Sequence, residues 1–172
     1  MEHTFNPSKP PVRFASREAR RSSEASVVDV LDRDQHKILR LFEAISFYAD
    51  GDDERLDFFG ELRRELLAHL RAEEEVSWPV LVDGDPALLA ELHAAHLALA
   101  EAVDHLARTP MGVMWKVQLK ALRVGVVEHM KAERSALLPR AKQQLPLAQQ
   151  MALGRAFEAA RDRHLNELSR QC

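Results

Sequence analysis

Cysteine is almost missing from this chain: among 172 residues there is one, Cys172, at the last position. An intramolecular disulfide is thereby excluded, a reducing compartment fits, and only a bridge to another molecule stays open. Long apolar runs are missing too, and the opening MEHTFNPSKPPVRF has no apolar core of a secretory leader. A cytoplasmic protein with no membrane span is therefore expected. Charge of one sign is lacking, because 24 Lys and Arg stand against 27 Asp and Glu, a formal −3. Such a balance offers no positive sheet to a nucleic-acid backbone, so no nucleic-acid partner is expected. There is no Gly-rich phosphate loop, no cysteine pair and no convincing Ser/His/Asp nucleophile arrangement.

What is present is helical pattern. Residues 1–25 mix Pro, Ser and Arg without apolar periodicity and predict a disordered arm, with residues 26–172 as one helical domain. Breaks at ADGDDE, VDGDP and RTPMG leave long helices at about 27–50, 53–82, 86–108 and 110–144, and a fifth follows from Pro146 to Arg170. Asp85 and Thr109 read as N-caps, each with proline at the first helical position. Short connections between long helices force antiparallel neighbours. The expected fold is all-α, an up-down-up-down four-helix bundle with an additional C-terminal helix.

Two stretches, AHLRAEEEVSWP and EHMKAERSALLP, write His-x-x-x-Glu ahead of a proline. In the second helix Leu62, Leu66, His69, Glu73, Val76 and Val80 fall on one stripe, and in the fourth Leu119, Leu122, Val126, His129, Glu133 and Leu137 do the same. In the third helix His96 lies on the stripe of Leu92, Leu99, Val103 and Leu106. The spacing also exposes an internal duplication: His36 to His96, His69 to His129, Glu73 to Glu133 and Pro79 to Pro139 are each 60 residues apart. Folding two such units together predicts four histidines and two glutamates at one level of the bundle.

Buried carboxylates and imidazoles need compensation, because an unpaired buried charge costs several kcal/mol. A single His and its turn-neighbour Glu can satisfy each other as a core polar pair. Six repeated residues are better satisfied by metal, and a His-plus-carboxylate set without thiolate suits iron ahead of zinc, copper or manganese. Two irons would use four imidazoles and two bridging glutamates, leaving an open position for a small ligand. Ferritin-like di-iron bundles differ, since they use Glu-x-x-His pairs and carboxylates predominate.

The signature of His36, His69-x-x-x-Glu73, His96 and His129-x-x-x-Glu133 resembles that of hemerythrin-like proteins with an HHE cation-binding domain, over about residues 27–144. The resemblance implies two Fe ions, oxo- or hydroxo-bridged, with His36 and His69 on one, His96 and His129 on the other, and Glu73 and Glu133 bridging. Relatives carry or sense oxygen, or respond to iron, nitric oxide or peroxide. Two departures weigh against reversible oxygen carriage. Oxygen carriers have a fifth histidine one turn before the position of His96, where this chain has Leu92 and then His93; their fourth-helix carboxylate lies five residues after its histidine, where Glu133 lies four after His129. His93 sits about 60° around the helix from His96, within a rotamer's reach of a metal and equally compatible with an exposed edge. The expected function is binding of O2, peroxide or NO in a sensing or stress-response role. The alternatives are a di-iron enzyme consuming peroxide or nitric oxide, and a metal-stabilised interaction module.

Overall fold

The structure, a computed structural model, describes residues 25–48 and 53–170. The expected arm, apart from Ala25, lies outside the described residues, as does Cys172. The helices are α1 (Val27–Phe47), α2 (Asp53–Ala72), a π-helical turn (Glu73–Ser77), α3 (Trp78–Leu81), α4 (Pro86–Arg108), α5 (Val113–Gln144) and α6 (Leu147–Ser169). No strand occurs among the described residues.

Local chemistry sets the helix starts. Ser26 and Asp29 form a reciprocal capping box at the start of α1. Asp85 caps α4 by accepting from Leu88 N, with Pro86 at the first position, as its spacing predicts. The expected cap at Thr109 differs: Thr109 closes α4, and α5 starts only at Val113, after a turn.

The core explains how the bundle presents a site. One apolar cluster gathers Ile38 to Ile45 of α1, Phe59 to Leu70 of α2, Leu99 to Leu106 of α4 and Trp115 to Met130 of α5. A second gathers Val27 to Leu31, Ala72, Trp78 to Val82, Leu92, Leu137 to Ala141, and Leu153, Phe157 and Ala160 of α6. Chain direction reverses between the clusters from α1 to α2, again at α4 and again at α5, which is the up-down-up-down bundle; α6 runs alongside α1 and α2. Every long helix places polar residues between its two apolar segments. Those residues form a buried polar layer across the middle of the molecule.

The π turn is not legible in the sequence and has a measurable consequence. Widening one turn inserts an extra residue, so the stripe of α2 shifts by one position beyond Glu73. Ser77 and Leu81 are buried there, whereas Val76 is half-buried and Val80 exposed, although the uninterrupted pattern predicts Val76 and Val80 inside. Pro139 occupies the repeat-related place in α5, which stays α-helical throughout, so proline alone does not produce the turn.

Candidate metal centre

Glu73, His96, His129 and Glu133 are all buried and offer one donor atom each within 4.8 Å of one another. Nε2 of His96 lies 3.0 Å from Nε2 of His129 and 3.3 Å from Glu73 Oε2. His129 Nε2 is 3.2 Å from Glu133 Oε1 and 3.8 Å from Glu73 Oε2. His69, 1% exposed, joins from the other side with Nε2 3.3 Å from Glu73 Oε1. Five of the expected residues therefore converge, because helical phase carries each pair at positions i and i+4 onto one buried face.

His36 requires a correction. Its side chain is 59% exposed, and Nδ1 lies 2.7 Å from the backbone oxygen of Asp32, one turn earlier on the outside of α1. The buried face of α1 is set by Val27, Leu31, Ile38, Leu41 and Ile45, and that phase turns Asp34 and Gln35 inward. Gln35 Nε2 donates to Glu133 Oε2 at 3.1 Å, so an amide stands where the repeat predicts an imidazole. His93 is not brought to the cluster either. It stays exposed on α4 with its ring 4.8 Å from that of Trp78, and Trp78 also packs on His96 at 4.3 Å. His105 and His164 pair with Gln118, and with Glu75 and Glu167, away from the cluster.

The outer partners of the three central histidines differ. His69 Nδ1 lies 2.7 Å from buried Asp34 Oδ2. His96 Nδ1 lies 2.9 Å from Oε1 of Glu74, whose side chain is 38% exposed. His129 Nδ1 is buried with no hydrogen-bond partner. Asp34 and Gln35 escape a reading for metal-ligand motifs, although two polar residues between Leu31 and Ile38 in the α1 stripe are a usable signal; Glu74, next to the His-x-x-x-Glu motif, is legible as a candidate supporting partner.

Electrostatics follow from burial and crowding. Burial opposes the charged form of His69, but Glu73 and Asp34 outweigh it and raise its pKa to about 9. His129 is likewise raised, to about 10, by Glu133 and Glu73 against its burial. Burial and the neighbouring Glu73 push the Glu133 carboxyl up to about 7, while the surrounding histidines hold Glu73 well below the usual carboxylate range despite its burial. Two carboxylates in one dry site thus separate into an ionised and a proton-retaining group.

Even so, several buried donors stay unsatisfied. His69 Nε2, both oxygens of Glu73 and Glu133 Oε1 are buried without a hydrogen-bond partner, and all belong to the convergent cluster. Buried polar atoms are normally paired, so a group of orphans facing one point fits a cation. The arrangement defines a helical-bundle cation-binding domain with a His/Glu site.

Comparison with known proteins names the class more closely. Residues 26–141 match the hemerythrin HHE cation binding domain, and the chain belongs to that family. The crystal structure of a hemerythrin HHE cation binding domain-containing protein from Mycobacterium kansasii superposes with a TM-score of 0.73 at 24% identity, covering 83% of this chain and 89% of that one, which shows the shared fold. A protein of Nostoc sp. described as a DNA nickase is 26% identical over 153 residues, or 86% of this chain; the match spans only 42% of that relative's length. No helix among the described residues is long and apolar enough to cross a membrane.

Proposed function

We propose that the chain is a cytoplasmic non-haem di-iron protein that binds oxygen or another small oxidant, such as peroxide or nitric oxide, in a sensing or stress-response role. The observation that carries this reading is the set of orphaned, buried donor atoms of His69, Glu73 and Glu133 converging with His96 and His129. Imidazole and carboxylate without thiolate favour iron. Bound there, iron supplies an open coordination position and one-electron redox chemistry.

The chain's own residues divide the work. His96 and His129 would hold the metal on one side and His69 on the other, with Glu73 and Glu133 between them. Gln35 orients Glu133 through its amide. Leu66, Leu99 and Val126 in one apolar cluster and Trp78 in the other bracket the layer from above and below. A groove of about 510 Å³ between α4 and α5, lined by Leu92, Ala95, Leu99, Gly125, His129 and Ala132 among others, reaches His129 from the surface and suits entry of a small apolar oxidant.

Metal analysis combined with an optical spectrum of anaerobically reduced protein, before and after air, tests the proposal. The expected result is close to two irons per chain and a visible change on oxidation. A preparation from iron-replete cells that holds zinc alone, or no metal, overturns it. Continued consumption of peroxide or nitric oxide at constant protein would assign the centre to an enzyme instead of a sensor.

A further inference from the structure

The polar layer extends into a helix outside the family-matched segment. Arg161 of α6 lies between Phe157 and Ala160, which pack in one apolar cluster, and Leu168, which packs in the other. It is therefore at the level of the candidate centre, and its side chain is only 17% exposed. Its Nε lies 2.7 Å from Asp34 Oδ1 as an ion pair without hydrogen-bond alignment, and a terminal guanidinium nitrogen donates to Glu65 Oε2 at 3.0 Å. The other oxygen of Asp34 faces Nδ1 of His69 at 2.7 Å. One buried carboxylate thus joins a guanidinium from α6 to an imidazole of the cluster, with each oxygen assigned to a different partner.

We propose that Arg161 is a positioning residue of the metal centre: it holds Asp34 on Nδ1 of His69, so that His69 presents Nε2 to Glu73 and the cation. This rests on the metal-binding reading above. The chemistry is directional. A carboxylate only accepts, so the contact requires the proton on Nδ1, which leaves Nε2 as the ligating atom. Phe157, also on α6, packs edge-on against the same imidazole with centroids 5.7 Å apart and blocks rotation of the ring. Of the three central histidines, His69 alone is oriented by a buried carboxylate that is itself clamped by a cation. His96 relies on a part-exposed glutamate, and His129 Nδ1 has no partner. The side with one histidine and Gln35 is the side that α6 reinforces. By linkage, a cation bound at His69 strengthens docking of α6, and docked α6 strengthens the cation site.

The test uses the full chain and two readouts that need no catalytic turnover. One is the Nδ1 proton of His69 in metal-free protein, observed by proton–nitrogen NMR and assigned through its loss in His69→Gln. The other is affinity for ferrous iron under argon, measured by competition with a chelator. Arg161→Met is expected to shift that resonance upfield, speed its exchange with water and weaken iron binding by roughly tenfold to a hundredfold, the scale typical for groups that orient a ligand. Arg161→Lys, which keeps the charge, is expected to fall between. Arg163→Met removes another α6 arginine, paired with Glu75, and is expected to change neither readout. A folded Arg161→Met with an unchanged His69 resonance and iron affinity within twofold overturns the proposal. If Arg161→Met fails to fold, Asp34→Asn decides: an unshifted resonance and unchanged affinity overturn it equally. Should the unaltered protein bind no iron, the metal reading fails, while the NMR arm still decides whether Arg161 orients His69.

Discussion

His96 and His129 face each other through Nε2 atoms 3.0 Å apart, although they come from antiparallel helices 33 residues apart in sequence. Two ring nitrogens at that distance share a single proton or turn their lone pairs on a common cation. Both also point at Glu73 Oε2, at 3.3 and 3.8 Å. The loss of these residues, and not of the sequence-repeated His36, is therefore expected to matter. His96→Ala and His129→Ala are expected to cut iron affinity tenfold or more, about 1.4 kcal/mol upward, whereas His36→Ala leaves it unchanged. Iron per chain after equilibration at limiting ferrous iron measures the difference, and iron loss in His36→Ala would restore that residue to the centre.

The raised pKa values give a pH dependence with a definite sign. His69 and His129 titrate near 9 and 10 in the metal-free fold against an ordinary 6.5, so the stability they contribute is full below 6.5 and is lost as pH rises through 9 to 10. Glu133, raised to about 7, acts in the same direction between its ordinary value and 7, while Glu73, held low, contributes stability that is lost only toward acid. The metal-free protein is expected to melt at lower temperature at pH 10 than at pH 7. Metal uptake must displace those protons, so iron affinity should rise between pH 6 and 9, with protons released on binding. Thermal melts and a pH-stat titration check the two statements separately.

Chelation is expected to lower the melting temperature at pH 7. Cation binding to preorganised buried donors is folding free energy, and its removal leaves the orphaned oxygens of Glu73 and Glu133 facing each other in a dry layer. An identical melt with and without chelator would show that the imidazoles and carboxylates satisfy one another unaided.

Gly154 reports on how tightly α6 is seated. A Cβ at this position would lie 2.9 Å from the backbone oxygen of Ala25 and 3.1 Å from Ser26 C and Val27 N, at the cap of α1. Alanine normally gains about 1 kcal/mol over glycine in a helix. Here the clash is with backbone that cannot swing aside, so Gly154→Ala is expected to destabilise by roughly 1–3 kcal/mol, in the range of overpacked contacts. A higher melting temperature for this variant would contradict the close approach.

The groove toward His129 can be narrowed without touching a ligand. Ala132 is exposed and lines it, so Ala132→Leu should fold normally. Iron content is expected to be unchanged, while oxidation of the reduced protein by air slows severalfold in stopped-flow absorbance. An unaltered rate would mean that the oxidant enters elsewhere.

The sequence by itself determined the bundle and most of the polar layer. In α2, α4 and α5 long apolar stripes bracket His69, Glu73, His96, His129 and Glu133, and a stripe carries its own phase, so these residues are buried wherever the helices pack. Tertiary structure decided the rest. In α1 the polar run Asp34, Gln35, His36 spans more than half a turn, and the 60-residue repeat favours His36; packing of Val27, Ile38 and Ile45 against α2 and α6 selects Asp34 and Gln35 instead. The π turn at Glu73 to Ser77 is not carried by the repeat, since repeat-related Pro139 lies in an unbroken α-helix. Arg161 reaches Asp34 only when α6 settles beside α1 and α2. Helical periodicity specifies which face of a helix is buried, but which partner that face meets across more than a hundred residues of chain is set by three-dimensional packing.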